Sequence, residues 1–536
     1  MAERGSQKFL KGLFRPIAFV YPNHYHIGMS NLGLHILYKI INARGDCACE
    51  RYFLPEKDLF SEHQKSKTPL LSVESGRQLA DNEIIFVMLS FEMDYDNLLT
   101  ILDLANIKLR AKERNKKEPL IIIGGPCATF NPLPLSSVAD AFVIGEGEEV
   151  VPKILDAYTN DKNETLNNLS KITGIYVPTL NKKVQRQWVQ QIDNYPHTSA
   201  IITEKTEFSN MYIVEVARGC GRHCRFCMAG YCFRKPRPRA LENILEDIKN
   251  RPEGTEKIGL MGAAVSDHPD IDKIVDFLTE NKIKFSFASL RADNLNEKMC
   301  DGLAKSGQKT LTIAPEAGSE RLRKAINKGI TEKHIFNAIN LAAKSGMQNI
   351  KLYFMIGLPN EKDEDVEAIL DMVRKVRQDM DAKNYKGDLV LSVNAFVPKP
   401  FTPYQWQGLT EVKILRHRLK ILSDGLRNEK KIKLITESLK ATVAQAILAR
   451  GDEKIGEFLL QAHESGQNLK LFMQKNGLNI EKIAEKTLTA NEELPWDFID
   501  VGVKKEYLLN ELKKSKQGEE TLPCFDNCQR CGVCEK

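Results

Sequence analysis

Three cysteines, Cys220, Cys224 and Cys227, stand within the short stretch CGRHCRFC, and four more, Cys524, Cys528, Cys531 and Cys534, fall within eleven residues near the end of the chain. A cysteine thiolate is a metal ligand and a nucleophile. Three thiolates are one short of the four ligands of a structural zinc site, and match the count of a catalytic zinc with an open position. A 4Fe–4S cluster normally takes four thiolates, so three would leave one iron open to a small molecule. The backbone N–H groups of this loop, with Arg222 and Arg225, favour an anionic cluster. A zinc loop or unligated thiols are the plainer alternatives. In the tail, a zinc ribbon would separate two cysteine pairs by a longer loop. The ferredoxin-type run has these gaps in the opposite order. The tail is therefore read as a second iron–sulfur cluster, with zinc or a flexible redox tail as alternatives; Asp526 is the acid nearby and no histidine is close.

Seven of the twelve cysteines lie in these two runs. Tight clusters in a large chain point to metal or redox chemistry in a reducing compartment, not to a disulfide framework. The chain has 536 residues, 42% of them hydrophobic and 28% charged, with a net charge of +6. That mild basic excess permits an anionic partner but equally describes a lysine-rich surface. No apolar run reaches the length of a membrane span, and the first residues, MAERGSQKFLKGLF, lack an apolar signal core. The expectation is a cytoplasmic protein with no membrane association.

Two blocks of alternating strands and helices must position these groups. In the first, RPIAFVYP, IIFVMLSF, PLIIIGG and DAFVIG read as strands and LGLHILYKIINARG and NLLTILDLANIKLRAKER as helices, which implies a doubly wound parallel sheet. Ligands in such sheets sit at the carboxyl ends of the strands, here the loops PNHYHIGMS, SFEMDY, GGPCATFNP and GEGEE. The second block offers six strand–helix units: MYIVEVARG, ending at the cysteine loop, then KIGLMGAA, KFSFASLRADN, KTLTIAPEAGS, IKLYFMIGLPN and LVLSVNAFVPKP. Six such units suggest a partial (β/α)6 barrel with functional residues at its strand ends. After residue 425 the pattern turns helical.

With Phe226 before its last cysteine, the run Cys220-x3-Cys224-x2-Cys227 resembles the signature of the radical S-adenosylmethionine (SAM) superfamily. The resemblance implies that SAM chelates the open iron of a 4Fe–4S cluster and is cleaved reductively to a 5′-deoxyadenosyl radical. It also implies a one-electron reductant such as flavodoxin or ferredoxin. Gly262, with Ala263 and Ala264, occupies the place of the family's Gly-rich turn near the SAM amino group, although the usual acidic residue is missing. Ser289 and Arg291 end the third strand. Glu316 resembles the polar residue of the fourth strand, near the SAM ribose or carboxylate. Met355, Ile356 and Gly357 resemble the fifth-strand segment that packs on adenine. A cap or an ion pair is the alternative at each of these positions.

The first block resembles the cobalamin-binding domain fused to one radical SAM subgroup, through IIIGGPCATFNP and VIGEGEEVVP. Gly124, Gly125, Gly145 and Gly147 would let the backbone approach a corrinoid. The D-x-H-x-x-G loop of base-off binders aligns with Asn23 to Gly28, so Tyr25 stands where the cobalt-ligating histidine would be and His24 and His26 are one residue out of register. Cobalamin without a histidine ligand, cobalamin on a shifted histidine, and a domain without the cofactor all remain open. ELPWDFIDVGVKKEYLLNEL, FVPKPFTPYQW and the final CGVC extend the likeness to a functionally uncharacterised group of such proteins.

The resulting expectation is an α/β chain. Residues 1–200 form a doubly wound, flavodoxin-like parallel sheet of cobalamin-binding type, 205–425 a radical SAM partial barrel, and 426–536 a helical, cysteine-rich C-terminal region. Its activity is radical modification of an unactivated carbon, by methyl transfer through cobalamin. The alternatives are methylthiolation of RNA or protein and a non-catalytic iron–sulfur scaffold. RNA or a ribosomal protein is the expected substrate class.

Overall fold

The computed structural model describes residues 3–7, 12, 14–56, 68–525 and 527–535. They form two compact units, one of Met1–Met211, Ile447–Ile480 and Glu493–Gly502, the other of Tyr212–Ala446, Glu481–Glu492 and Val503–Lys536.

The first unit is built on a six-stranded sheet: β1 (Arg15–Tyr21), β2 (Cys47–Phe53), β3 (Ile84–Met88), β4 (Leu120–Gly124), β5 (Ala141–Val143) and β6 (Ile175–Tyr176), in the order β2-β1-β3-β4-β5-β6. The first five are parallel, and β6 runs antiparallel to β5. An order of 2-1-3-4-5 is the flavodoxin-like form of the doubly wound sheet. Strands buried on both faces read as continuous apolar runs, which is why β1, β3 and β4 are visible in the sequence. β2 is not, because Glu50 and Arg51 interrupt CACERYF. Both are fully buried: Arg51 pairs with Glu3 at 2.7 Å and Glu74 at 2.5 Å, and Glu50 accepts from Ser75.

The helical stretch after residue 425, expected as one region, divides between the two units. Side-chain contacts decide the division. The Asn131 amide donates to the carbonyls of Ala449 and Gly451. The helix Glu453–Glu464 lies against the helix Tyr95–Leu104, where His463 bonds Asp96 and Asp103 at 2.9 Å each. Burial works against the His463 imidazolium, but the two carboxylates outweigh it and raise its pKa to about 9. A folded-state pKa above the unfolded value gives stability that is complete below the unfolded pKa, about 6.5, and is lost as pH rises through about 9. Because Asp96 and Asp103 are 60% and 56% exposed, solvent screens the pair. His463→Gln is therefore expected to cost about 1 kcal/mol at pH 6 and almost nothing at pH 10, measured by urea unfolding.

The second unit carries seven barrel strands: β7 (Met211–Glu215), β8 (Lys257–Met261), β9 (Lys284–Phe287), β10 (Thr310–Glu316), β11 (Asn349–Ile356), β12 (Leu389–Ala395) and β13 (Ile432–Thr436). They form two sheets, ordered β9-β8-β7 and β10-β11-β12-β13. All six expected strands are present. The seventh, β13, pairs parallel with β12 inside the stretch expected to be helical. It is an outer strand, largely exposed, and carries no apolar alternation to mark it. In β10 and β11 alternate residues are buried against the helices while Thr312, Ala314, Glu316, Lys351, Tyr353 and Met355 stay half-exposed on the other face. The barrel interior is thus polar and open, not packed as in a closed eight-stranded barrel.

The last helix, Lys505–Gln517, stops at Gly518 in the left-handed conformation (φ +71°) and packs on the helix Glu320–Ala325. Among the described residues no helix is long and apolar enough to cross a membrane.

Candidate functional site

The cysteine loop leaves the barrel just beyond β7 and folds into tight turns. Cys227 N–H donates to the Cys224 carbonyl at 3.0 Å and Gly230 N–H to that of Cys227 at 3.3 Å, and Arg222 N–H points at Cys220 Sγ at 3.4 Å. All three cysteines are free thiols. Burial pushes Cys220 up and Cys227 up to about 12, and repulsion from a Cys224 thiolate adds to both. Bare thiolates are therefore disfavoured here, and bound iron would supply the missing positive charge. Among the described residues no three His, Cys, Asp or Glu side chains converge as a single metal ion requires. A 4Fe–4S cubane takes each thiolate on a different iron, so its ligands need not converge on one ion. The donor set fits such a cluster.

Side chains from three strand ends close on this loop. Arg222 binds Asp267, beyond β8, at 2.8 and 3.0 Å, and reaches Asp293, beyond β9, at 3.5 Å. Asp293 also holds Arg291 through two bonds of 3.0 Å, and Arg291 donates to the Lys328 carbonyl at 3.0 Å. Lys328 Nζ bonds Glu316 Oε1 at 2.9 Å and lies 6.0 Å from the ring centre of Phe226. Burial disfavours the Lys328 ammonium, but Glu316 and then Cys224 outweigh it and hold its pKa above the ordinary lysine value. Glu316 is aimed by a bulge: the register of β10 against β11 shifts between Ile313 and Glu316, where Glu316 takes φ +69°.

The structure thus brings Arg291 and Glu316 to the cysteines. Gly262 and Ser289 meet each other at neighbouring strand ends, with Ser289 Oγ donating to the Gly262 carbonyl at 3.1 Å. Gly262 is closed in by the backbone of Ala217, which a Cβ would meet at 3.0 Å. Gly357, at φ +79°, turns the chain so that its N–H meets Glu361 at 2.5 Å, and its carbonyl accepts from Thr410. Its lack of a side chain serves protein packing, since a Cβ would strike Leu415. Lys328 was not legible in the sequence. The available signal was a lysine twelve residues past Glu316, between Asn327 and a glycine, at the end of a short helix. His268, a candidate base, instead bonds the Arg239 carbonyl and the Asp270 N–H.

At the carboxyl ends of the front sheet, several of the glycines are closed in by the chain itself. A Cβ on Gly125 would lie 2.7 Å from the Leu89 oxygen, and one on Gly145 1.9 Å from that of Gln187. Gly28 and Gly147 are closed in by Phe53 and Leu37; Gly124 is in ordinary contact with Val143. At Gly125 and Gly145 a crossing backbone segment by itself requires glycine, whereas Gly124 has room for a side chain. Tyr25 is engaged too: its phenol donates to Glu3, its ring meets Phe53 edge-on at 5.2 Å, and burial holds it neutral. His24 and His26 stand 3.7 Å from Glu56 and Glu207. What the strand ends do present is exposed Ile27 and Phe91 beside a polar cluster. In it Asp94 accepts from Asn23 at 2.8 Å and Asn97 at 3.1 Å, and burial outweighs both donors to push its carboxyl up to about 6. Two exposed apolar side chains beside a polar cluster are compatible with a large amphipathic ligand such as a corrinoid.

The tail lies against the back of the cysteine loop. Cys524 N–H donates to the Gly221 carbonyl at 2.8 Å, and Arg234 Nη1 lies 3.2 Å from Cys524 Sγ and 3.6 Å from Cys531 Sγ. Arg530 Nε donates to Cys528 Sγ at 3.1 Å, whereas Cys534 is exposed.

Comparison with known proteins follows the same division. Residues 214–373 match the family described as the radical SAM superfamily, and residues 33–178 the one described as radical SAM proteins, N-terminal. An uncharacterised protein of Methanocaldococcus jannaschii is 31% identical over 83% of this chain and 91% of its own length. An uncharacterised methyltransferase of Pyrococcus horikoshii is 27% identical over 48% of this chain and 58% of its own. Among solved structures, the radical SAM methyltransferase TsrM of Kitasatospora setae, with cobalamin and a [4Fe–4S] cluster bound, matches in fold with a TM-score of 0.50 at 13% identity, over 88% of this chain and 99% of that one.

Proposed function

The chain belongs to the radical SAM superfamily, and from that premise we propose that it is an enzyme that methylates an unactivated carbon with the help of cobalamin. The observation that carries this reading is the joining, in one chain, of a three-cysteine partial barrel to a doubly wound sheet whose strand ends combine exposed Ile27 and Phe91 with the Asn23–Asp94–Asn97 cluster. The fold likeness to a cobalamin-containing methyltransferase and the partial likeness to an archaeal methyltransferase support it.

Cys220, Cys224 and Cys227 would hold a 4Fe–4S cluster, which with SAM on its open iron supplies the 5′-deoxyadenosyl radical. The front sheet would hold cobalamin, which supplies a methyl carrier. The remaining work falls to the chain's own groups. Lys328 and Arg291 place two partly buried cations beside the cysteines, suited to the carboxylate of SAM and to the negative charge of a thiolate-bound cluster. Arg222, tied to Asp267 and Asp293, fixes the loop to two strand ends, so the cysteines are held by rigid elements. Half-exposed Thr312, Lys351 and Tyr353 give the barrel interior a polar wall for a substrate. RNA or a ribosomal protein fits the basic net charge.

Anaerobic protein incubated with hydroxocobalamin is expected to retain about one corrinoid per chain through gel filtration. Retention should fall when Phe91 is changed to aspartate, a surface change that leaves the sheet intact. Wild-type protein that emerges without a corrinoid band would end the cobalt route and favour sulfur insertion. RNA from cells lacking the protein, searched by mass spectrometry for a missing methyl group, tests the substrate class.

A further inference from the structure

We propose that Cys524, Cys528, Cys531 and Cys534 hold a second 4Fe–4S cluster that relays single electrons into the cluster at Cys220, Cys224 and Cys227. The relay rests on the reading of that first cluster; the second cluster itself does not.

The argument begins with how firmly the tail is seated. Asn327 clasps it: its side chain donates to the His223 carbonyl at 3.1 Å and the Thr521 carbonyl at 3.0 Å, and accepts from Thr521 N–H at 2.8 Å. Thr521 Oγ1 donates to the buried Glu511 at 2.7 Å. Further on, the Cys531 carbonyl accepts from Lys504 N–H at 2.9 Å, and Cys528, Cys531 and Val533 are buried. A segment fixed at both ends with buried sulfurs is a built site, not a loose redox tail.

The second step is charge. Two guanidinium groups, which stay charged at all accessible pH, donate to three of the four sulfurs: Arg234 to Cys524 and Cys531, Arg530 to Cys528. Four thiolates on a cubane carry net negative charge, and hydrogen bonds to cluster sulfurs are among the features that set its potential.

The third step is position. Arg234 also donates through Nη2 to the Arg222 carbonyl at 3.3 Å and contacts His223 Nδ1 at 2.7 Å, so one side chain grips both cysteine loops. Cys524 N–H bonds the carbonyl of Gly221, the residue bonded to Cys220. A single hydrogen bond therefore joins the backbone of a tail ligand to that of the residue next to a loop ligand. On the outer side, Leu522 and Phe525 are 74% and 62% exposed next to Arg530 and the exposed Lys235. A basic, partly apolar edge suits brief docking of an acidic one-electron carrier of the ferredoxin or flavodoxin class. One electron leaves that carrier, reduces the tail cluster and passes to the loop cluster, where SAM cleavage consumes it.

Iron and acid-labile sulfide in anaerobically purified full chain test the site. The wild type is expected to carry about eight irons and the Cys220→Ala/Cys224→Ala/Cys227→Ala protein about four, with a reduced-cluster EPR signal that needs no SAM. One zinc per chain, or no iron in the triple variant, overturns the second cluster. Equal iron of about four in both proteins would instead leave the tail cluster standing and remove the first. The relay is tested with Cys534→Ala, chosen because Cys534 is exposed and its loss leaves the packing alone. Formation of 5′-deoxyadenosine driven by reduced ferredoxin is expected to fall about tenfold or more, while that driven by dithionite stays within about threefold. Equal effects under both reductants, or none, overturn the relay.

Discussion

Cys224→Ala is expected to lower 5′-deoxyadenosine formation from SAM by more than about 100-fold, since even outer-shell partners of metal ligands are worth about 10–100-fold. Cys224 is the buried member of the loop trio, only 8% exposed, and its carbonyl closes the turn that places Cys227. Its charge is also one of the influences that raise the pKa values of Lys328 and Arg291, so removing it deprives two partly buried cations of a partner. The comparison that isolates the effect is Cys300→Ala. Cys300 is equally a buried thiol of the barrel unit, on the helix Glu297–Lys305, but lies outside both cysteine runs. Iron content and SAM cleavage are expected to stay at wild-type levels there. Equal losses in both variants would mean that the barrel merely tolerates cysteine changes poorly, and the assignment of the loop would fail.

The contrast between what the chain discloses and what it conceals has physical causes. Cys220, Cys224 and Cys227 are local in sequence, and the strand before them is a plain apolar run, so both motif and placement are legible. β1, β3 and β4 are buried on both faces and equally plain. β2 hides because Glu50 and Arg51 are satisfied by groups more than twenty residues away. β13 hides because an outer strand needs no apolar alternation. Lys328 is recognisable only once β10 and the helix after it are folded, since its partner Glu316 is aimed by a bulge that no propensity reports. The glycines of the front loops are ambiguous for another reason. Their spacing suggests close approach, and at Gly125 and Gly145 the chain at Leu89 and Gln187 already makes one. A glycine states that something approaches closely, not whether it is cofactor or chain.

Arg225→Met is expected to destabilise the barrel unit by about 3–5 kcal/mol, the usual consequence of leaving one partner of a buried ion pair uncompensated. Arg225 and Glu511 are both fully buried, with Nε and Oε2 3.1 Å apart. The guanidinium also donates to the Ala325 carbonyl at 2.8 Å and to that of Glu519 at 2.8 Å, so one side chain ties the cysteine loop, a barrel helix and the C-terminal segment together. Replacing both charges tests whether the pair acts as a pair. Arg225→Met/Glu511→Leu removes the stranded carboxylate and is expected to be more stable than Arg225→Met alone. It should remain below wild type, because the Ala325 and Glu519 carbonyls still lose a donor at about 1–3 kcal/mol each. Urea unfolding gives the order, and iron content reports the loop. If the two substitutions add independently, Glu511 is not what Arg225 answers to. The attachment of tail to loop would then rest on Asn327 and Arg234, and the single variant should keep its iron. If the double variant regains stability but not iron, the position of Arg225 between Cys224 and Cys227 matters to the cluster through the backbone it anchors, since its N–H bonds the Ile326 carbonyl at 2.9 Å.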